Sequence, residues 1–76
     1  MNLERLKNLR EDNDYKQEYI GAVLNIHQRT YSRYERGERT IPLELLSKLA
    51  DFYGTSVDYL MGRTNIKKPY PKPLSK

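Results

Sequence analysis

The residues best suited to chemistry lie close together, between positions 28 and 36 of this 76-residue chain. Gln28 carries an amide that can form two hydrogen bonds with the edge of an adenine, and the guanidinium of Arg29 or Arg33 can do the same with a guanine. Each such pair contributes about 1 to 3 kcal/mol of discrimination between bases. The stretch could therefore read a DNA sequence, provided that one structural element presents these side chains together.

That element is predicted to be a short helix from about residue 28 to residue 36. Tyr31 and Tyr34 recur at a spacing of three and would face the core, with Ile26 as an apolar anchor before the helix. Gly37 follows the last turn, where glycine commonly caps a helix. The residues that fall mostly on other faces are Gln28, Arg29, Ser32, Arg33 and Arg36. The outer side of this helix is therefore predicted to be polar.

Another helix is predicted directly before it, starting at about Lys16. Its apolar side is formed by Ile20, Val23 and Leu24. Gly21 lies beside them, where alanine would favour a helix by about 1 kcal/mol, and this implies close contact with a neighbouring helix. Asn25 stands in the connecting turn, at a position that needs a left-handed backbone. Such a helix-turn-helix, from about Gln17 to Arg36, would let its second helix protrude into a DNA major groove.

Three further helices are predicted around this motif. The first helix is predicted over residues 3 to 11, with Asn2 as its N-cap. A fourth helix has Pro42 in its first turn and ends at Gly54. A short fifth helix is capped by Ser56 and ends at Gly62. Their apolar residues are Leu3, Leu6 and Leu9, then Leu43, Leu46, Leu49, Ala50 and Tyr53, and finally Val57, Tyr59, Leu60 and Met61. The sequence predicts an all-α fold, a compact bundle of five short helices over residues 1 to 62.

Residues 63 to 76 show no helical periodicity and contain prolines at 69, 71 and 73. They hold five basic residues and no acidic one, although the net charge of the whole chain is only +4. This segment is predicted to be a basic, proline-rich flexible tail, serving as a linker to a further domain, as an arm along DNA or as an inert end. Within the predicted domain, residues 27 to 39 carry a net charge of +2 and residues 40 to 62 a net charge of −2. This difference suits a domain with one DNA-facing side, although a charged, solvated helix face gives similar numbers of charged residues.

Several other functions find no support in the sequence. The chain has no cysteine and a single histidine, His27, so neither a metal site nor a cofactor is predicted, and His27 is expected to cap the third helix or contact a phosphate. No nucleophile stands at a recognisable spacing from a base, and no glycine-rich loop is suited to phosphates, so the protein is not predicted to be an enzyme. The N-terminus lacks the pattern of a secretory signal and no apolar run could span a bilayer, so a cytoplasmic location is expected.

Taken in order, these residues resemble the Cro and phage-repressor class of helix-turn-helix proteins, also called the xenobiotic-response-element family. The similarity covers about residues 3 to 62. The matching residues are Gln17, Glu18, Ile20, Gly21 and Leu24, then Tyr34, Glu35, Arg36 and Gly37, then Pro42, Leu45, Leu46, Leu49 and Ala50, and the run from Gly54 to Leu60.

The resemblance implies a role for each matching position. The implied base-reading residues are Gln28, Arg29, Ser32 and Arg33, and the implied phosphate contacts are Gln17, Thr30, Arg36, Arg39 and Thr40. Arg10 and Glu35 match a pair that forms a partly buried structural salt bridge in the family. Two positions depart from the pattern. Lys16 stands where a serine or threonine cap is usual. Tyr31 replaces a small branched aliphatic residue, and Gly21 is expected to provide room for the larger tyrosine ring.

The function that the resemblance implies is sequence-specific binding of double-stranded DNA by a transcriptional regulator. Two copies are expected to bind a palindromic operator with half-sites about one helical turn apart, and to repress where that operator overlaps a promoter. The homodimer contact is expected at Val57, Tyr59 or Met61. The alternative is a protein-interaction module, such as an antitoxin or regulatory subunit, in which DNA binding is secondary.

Overall fold

The computed structural model describes residues 3 to 68, which form five α-helices and no β-strand within that range. The helices are α1 (Glu4–Asp12), α2 (Gln17–Leu24), α3 (Gln28–Glu35), α4 (Leu43–Tyr53) and α5 (Val57–Leu60). None of them is long and apolar enough to cross a membrane. The predicted all-α, five-helix architecture is confirmed, and the helix ends lie within two residues of the predicted ones.

Every helix contributes at least one side chain to a single core. The largest fully buried residues are Leu6, Ile20, Tyr31, Leu46, Leu49 and Leu60. The prediction for Leu43 was wrong, because this residue opens α4 on its outer side and remains 69% exposed. Ile41, in the loop between α3 and α4, is 3% exposed and joins the core. The predicted cap Asn2 lies outside the described residues, and α1 begins after Leu3 without a side-chain cap.

The turn between α2 and α3 is made by Asn25, which adopts the predicted left-handed conformation with φ of 60°. Its backbone N–H donates to the Ala22 carbonyl at 3.0 Å, and the Ile26 N–H donates to the Gly21 carbonyl at 2.9 Å. At the end of α3 the cap is Arg36 rather than Gly37, and Gly37 follows in the left-handed region with φ of 74°. These two turns set the orientation of α3 relative to the rest of the domain.

Gly21 provides room for the backbone of the turn, which corrects the expectation that it provides room for Tyr31. A Cβ atom at position 21 would lie 3.0 Å from the Ile26 carbonyl oxygen and 3.3 Å from the Gln28 backbone nitrogen. The ring of Tyr31 is fully buried in the core, and no atom of it is among the nearest neighbours of that position. Gly21 thus allows α3 to begin directly against α2.

Four aromatic rings pack where α4 meets the start of α2. Tyr15 lies 5.0 Å from Tyr19 and 5.5 Å from Phe52 between ring centroids, and Phe52 lies 5.0 Å from Tyr53. Tyr15 and Tyr19 therefore help to hold α2 against α4, although Tyr19 remains 49% exposed.

The segment after α5 contacts the body of the domain through Arg5 of α1. The Arg5 guanidinium lies 4.2 Å from the centre of the Tyr59 ring and donates to the carbonyl of Tyr59, the carbonyl of Thr64 and the side-chain oxygen of Asn65. The Thr55 hydroxyl likewise donates to the carbonyl of residue 67. A domain boundary at residue 62 stays a prediction, and residues 69 to 76 of the predicted tail lie outside the described residues.

We expect Arg5→Ala to lower the free energy of unfolding by about 1 to 2 kcal/mol, because it removes several hydrogen bonds and the contact with the Tyr59 ring. Urea denaturation followed by circular dichroism measures the change. Lys7→Ala is the matched control, since Lys7 is an exposed cation on the same helix. Equal stability of the two variants would contradict the prediction.

Candidate nucleic-acid interface

α3 presents its polar side to solvent because its two tyrosines face inward. Tyr31 and Tyr34 are 0% and 7% exposed, whereas Gln28, Arg29 and Arg33 are exposed. The extended backbone of His27, with φ of −68° and ψ of 146°, starts the helix at Gln28 without a side-chain cap. The first turn of α3 therefore lies at the surface, and α2 packs closely against it at Gly21.

The four predicted base-reading residues line one open groove of about 550 Å³. Its lining residues are Gln17, Gln28, Arg29, Ser32, Arg33 and Arg36. An adjoining recess at the N-terminus of α3 is lined by His27, Gln28, Arg29 and Thr30. Arg39 and Thr40 are exposed in the loop between α3 and α4, outside this groove. The fold thus brings eight of the ten proposed DNA contacts to one surface along α3 and leaves two on the following loop.

The groove is electropositive. Arg29, Arg33 and Arg36 line it, and within residues 3 to 68 no carboxylate is among its lining residues. Arg36 pairs at 3.0 Å with Glu38, but both side chains are more than half exposed, and such a pair adds little stability and is easily exchanged for another partner. The surface can therefore attract an anion such as the DNA backbone.

Behind the groove, Glu35 accepts hydrogen bonds from two other helices. Its Oε2 accepts from Arg10 Nε of α1 at 2.7 Å, and its Oε1 accepts from Arg10 Nη2 and from Gln17 Nε2 of α2, both at 3.1 Å. The Arg10 and Glu35 side chains are 13% and 3% exposed, so this is the partly buried ion pair that the resemblance implied. Arg10 Nη1 also donates to the Tyr15 carbonyl at 3.0 Å. One carboxylate therefore joins α1, α2 and α3.

Burial by itself would raise the pKa of the Glu35 carboxyl, but the hydrogen bonds from Arg10 and Gln17 and the charge of Arg10 outweigh it and lower that pKa below its ordinary value. Burial and the nearby Glu35 carboxylate raise the pKa of Tyr31, and burial raises that of Tyr53 to about 12. Among the described residues, neither tyrosine hydroxyl has a hydrogen-bond partner. The network therefore holds an ionised Glu35 beside two neutral tyrosines at neutral pH.

We expect the domain to lose stability in acid as the pH falls through the folded-state pKa of Glu35. Because that pKa is below its ordinary value, the unfolded chain takes up this proton more readily than the folded one. The contribution is complete above the unfolded pKa of roughly 4.3 and is lost progressively as the pH falls from there through the lower folded-state pKa. Urea denaturation across a pH series should show a shallower dependence for Glu35→Gln than for the wild type, whereas the exposed Glu38→Gln should keep the wild-type slope. An unchanged slope in Glu35→Gln would contradict this expectation.

The sequence did not predict the hydrogen bond between Gln17 and Glu35. A signal for it was present, because Gln17 lies one turn before Gly21 on the same face of α2, and Gly21 marks the contact of α2 with α3. A polar residue of α3 facing that side could have been sought as a partner.

Comparison with known proteins agrees with this geometry. A model of the helix-turn-helix family matches residues 6 to 60. The chain belongs to the helix-turn-helix family. This result confirms the phage-repressor type of helix-turn-helix that the ordered residues of the sequence indicated. No solved structure gives a significant match to the chain.

Three relatives of this helix-turn-helix protein are named as transcriptional regulators or repressors. The transcriptional regulator AnsR of Bacillus subtilis is 39% identical over 97% of this chain and 64% of its own length. ImmR of the same organism is 37% identical over 86% of this chain and 51% of its own length. The cryptic phage CTXphi transcriptional repressor RstR of Vibrio cholerae is 34% identical over 82% of this chain and 58% of its own length. The chain thus spans about half to two thirds of these relatives.

Proposed function

We propose that this helix-turn-helix protein binds a specific double-stranded DNA operator and regulates transcription. The observation that carries the proposal is the electropositive groove in which Gln28, Arg29, Ser32 and Arg33 stand together with Gln17 and Arg36. Membership of a family whose relatives are named as transcriptional regulators supports it. We propose that this action requires no catalysis, cofactor or metal and takes place in the cytoplasm.

Two groups of residues divide the work of recognition in this proposal. Gln28, Arg29, Ser32 and Arg33 enter the major groove with the first turns of α3 and read base edges. Gln17, His27, Thr30, Arg36, Arg39 and Thr40 surround them and contact phosphates, which fixes the position of α3 without reading sequence. The burial of Tyr31 and Tyr34 supports the placement of the base-reading residues, because it fixes which side of α3 faces outward.

A homodimer on a palindromic operator is the proposed assembly, since a single α3 covers only one half-site. Val57, Tyr59 and Met61 are the proposed contact. All three are half-buried against the core, so the area that they can still offer is small, and pairing of the two copies is expected to depend on DNA. Repression follows where the operator overlaps a promoter, and the repressor name of one relative supports this direction.

Selection of bound duplexes from a random DNA pool, at low and at moderate salt, tests the proposal. The expected result is a two-fold-symmetric motif that binds at least about a hundredfold more tightly than a scrambled duplex. Its half-site spacing would report the arrangement of the two copies. Recovery of no motif, with binding that disappears as salt rises, would reject the operator and favour the protein-interaction alternative.

On the selected operator, Gln28→Ala and Arg39→Ala should behave differently. Gln28→Ala should lose about 1 to 3 kcal/mol of discrimination at one operator position and leave the salt dependence unchanged, because an amide releases no counterion. Arg39→Ala should weaken binding to all sequences alike and reduce the slope of log K against log salt by about one unit. Fluorescence anisotropy titrations at several salt concentrations separate the two effects. The same behaviour in both variants would contradict the proposed division.

A further inference from the structure

Gln17 takes part in two arrangements at once. Its side chain lines the electropositive groove with the proposed base-reading residues, and its Nε2 donates to Glu35 Oε1 at 3.1 Å behind that groove. Gln17 is half-buried, whereas the side chain of Glu35 is only 3% exposed. Glu35 is therefore too deeply buried to contact DNA itself, but it touches a residue that can.

A carboxylate fixes the orientation of a neighbouring amide because an ionised carboxylate only accepts hydrogen bonds. The amide nitrogen of Gln17 must therefore face Glu35, and the second N–H of that nitrogen remains available to an acceptor. If the amide were turned over, its carbonyl oxygen would meet the carboxylate and the existing hydrogen bond would be lost. We propose that Glu35 is a positioning residue for DNA binding, which orients the Gln17 amide so that a N–H rather than a carbonyl oxygen serves the DNA phosphate.

Arg10 fixes the Glu35 carboxylate, which in turn orients the Gln17 amide. Its Nε and Nη2 bind the two different oxygens of Glu35, at 2.7 and 3.1 Å, and this paired geometry fixes the plane of the carboxylate. The ion pair thereby orders Gln17 in the free protein, before any DNA is present, and reduces the entropy that the side chain loses on binding. This role rests on the proposed function, because it acts through the phosphate contact assigned to Gln17.

A double-mutant cycle on the selected operator tests the proposal, with wild type, Gln17→Ala, Glu35→Gln and the double variant. Glutamine at position 35 has nearly the same shape but can donate as well as accept, so it no longer fixes the Gln17 amide. Glu35→Gln should weaken binding roughly three- to tenfold in the wild-type background. In the Gln17→Ala background the same change should have no such effect. Salt high enough to screen the altered charge is used throughout.

The stability of the four proteins separates positioning from folding. Glu35→Gln removes the ion pair with Arg10 and should lower the free energy of unfolding in both backgrounds, whereas its effect on DNA affinity should require Gln17. An equal loss of DNA affinity in both backgrounds would overturn the proposal, because Glu35 would then act on the domain as a whole.

A second measurement needs no DNA. In nuclear magnetic resonance spectra of the free wild type, one Nε2 proton of Gln17 should exchange with water more slowly than those of Gln28, an exposed residue on the same groove. Glu35→Gln should remove that difference. Equal exchange for Gln17 and Gln28 in the wild type would overturn the inference. A protected Gln17 in a protein that selects no DNA motif would instead reject the proposed function, and with it any role of this contact in DNA binding.

Discussion

Arg10→Met is expected to lower the free energy of unfolding by about 3 to 5 kcal/mol. The substitution removes the cation that binds both oxygens of Glu35 and leaves a carboxylate that is 3% exposed, with Gln17 as its remaining hydrogen-bond donor. A charge left without its partner in a buried site keeps the full cost of its desolvation. Such a loss is a large fraction of the stability that a small domain has. Chemical denaturation at neutral pH measures it.

The same fold provides the control for this prediction. Arg36 and Glu38 also form an ion pair, at 3.0 Å, but their side chains are 56% and 55% exposed. Glu38→Gln should therefore change stability by less than about 1 kcal/mol. Arg10→Met combined with Glu35→Leu should recover much of the loss, because it removes the uncompensated charge. If Arg10→Met cost no more than Glu38→Gln, burial would not decide the strength of these pairs in this protein.

Gly21→Val is the second change with a large expected effect, a loss of about 2 to 3 kcal/mol in the free energy of unfolding. A Cβ at this position already lies 3.0 Å from the Ile26 carbonyl oxygen and 3.3 Å from the Gln28 nitrogen. The two methyl groups of valine extend further, toward backbone atoms that cannot rotate out of the way. Because Gln28 is the first residue of α3, any relief of this crowding must also displace the start of that helix. Operator affinity should therefore fall along with stability.

Gly21→Ala is the matched control, since it adds the Cβ alone. Alanine gains about 1 kcal/mol of helix propensity over glycine, and this gain offsets the tight contact, so its stability should stay within about 1 kcal/mol of the wild type. Thermal unfolding followed by circular dichroism compares the three proteins. A valine variant as stable as the alanine variant would show that α2 and α3 can separate at no cost, contrary to the close contact described above.

The sequence predicted the helices well because each of them depends on local signals. Apolar residues at helical spacing placed Leu6, Ile20 and Leu49 in the core, and Asn25 and Gly54 marked the turns at which α2 and α4 end. The errors came from tertiary context. Leu43 fits the apolar stripe of α4 by spacing alone, but at the first position of the helix no element of the described part of the chain covers it.

The sequence predicted which residues form the candidate site better than it predicted the contacts between them. The spacing of Tyr31 and Tyr34 was enough to assign the outer side of α3, and with it the groove residues of that helix, whereas Gln17 of α2 was assigned through the resemblance. Spacing along one helix cannot reveal which atoms meet between helices. The bond from Gln17 to Glu35 and the role of Gly21 depend on how closely α2 approaches α3, and that distance appears only once the helices are packed.

The contacts of Arg5 also have a mechanical consequence. Tension applied to the chain beyond residue 67 would first load the hydrogen bonds from Arg5 to residues 64 and 65 and the bond from Thr55 to residue 67. This load passes into α1 and into the connection between α4 and α5, whereas the turn between α2 and α3 is not in its path. A pull on this end of the chain would therefore act first on α1 and on the connection between α4 and α5, before it reached α3.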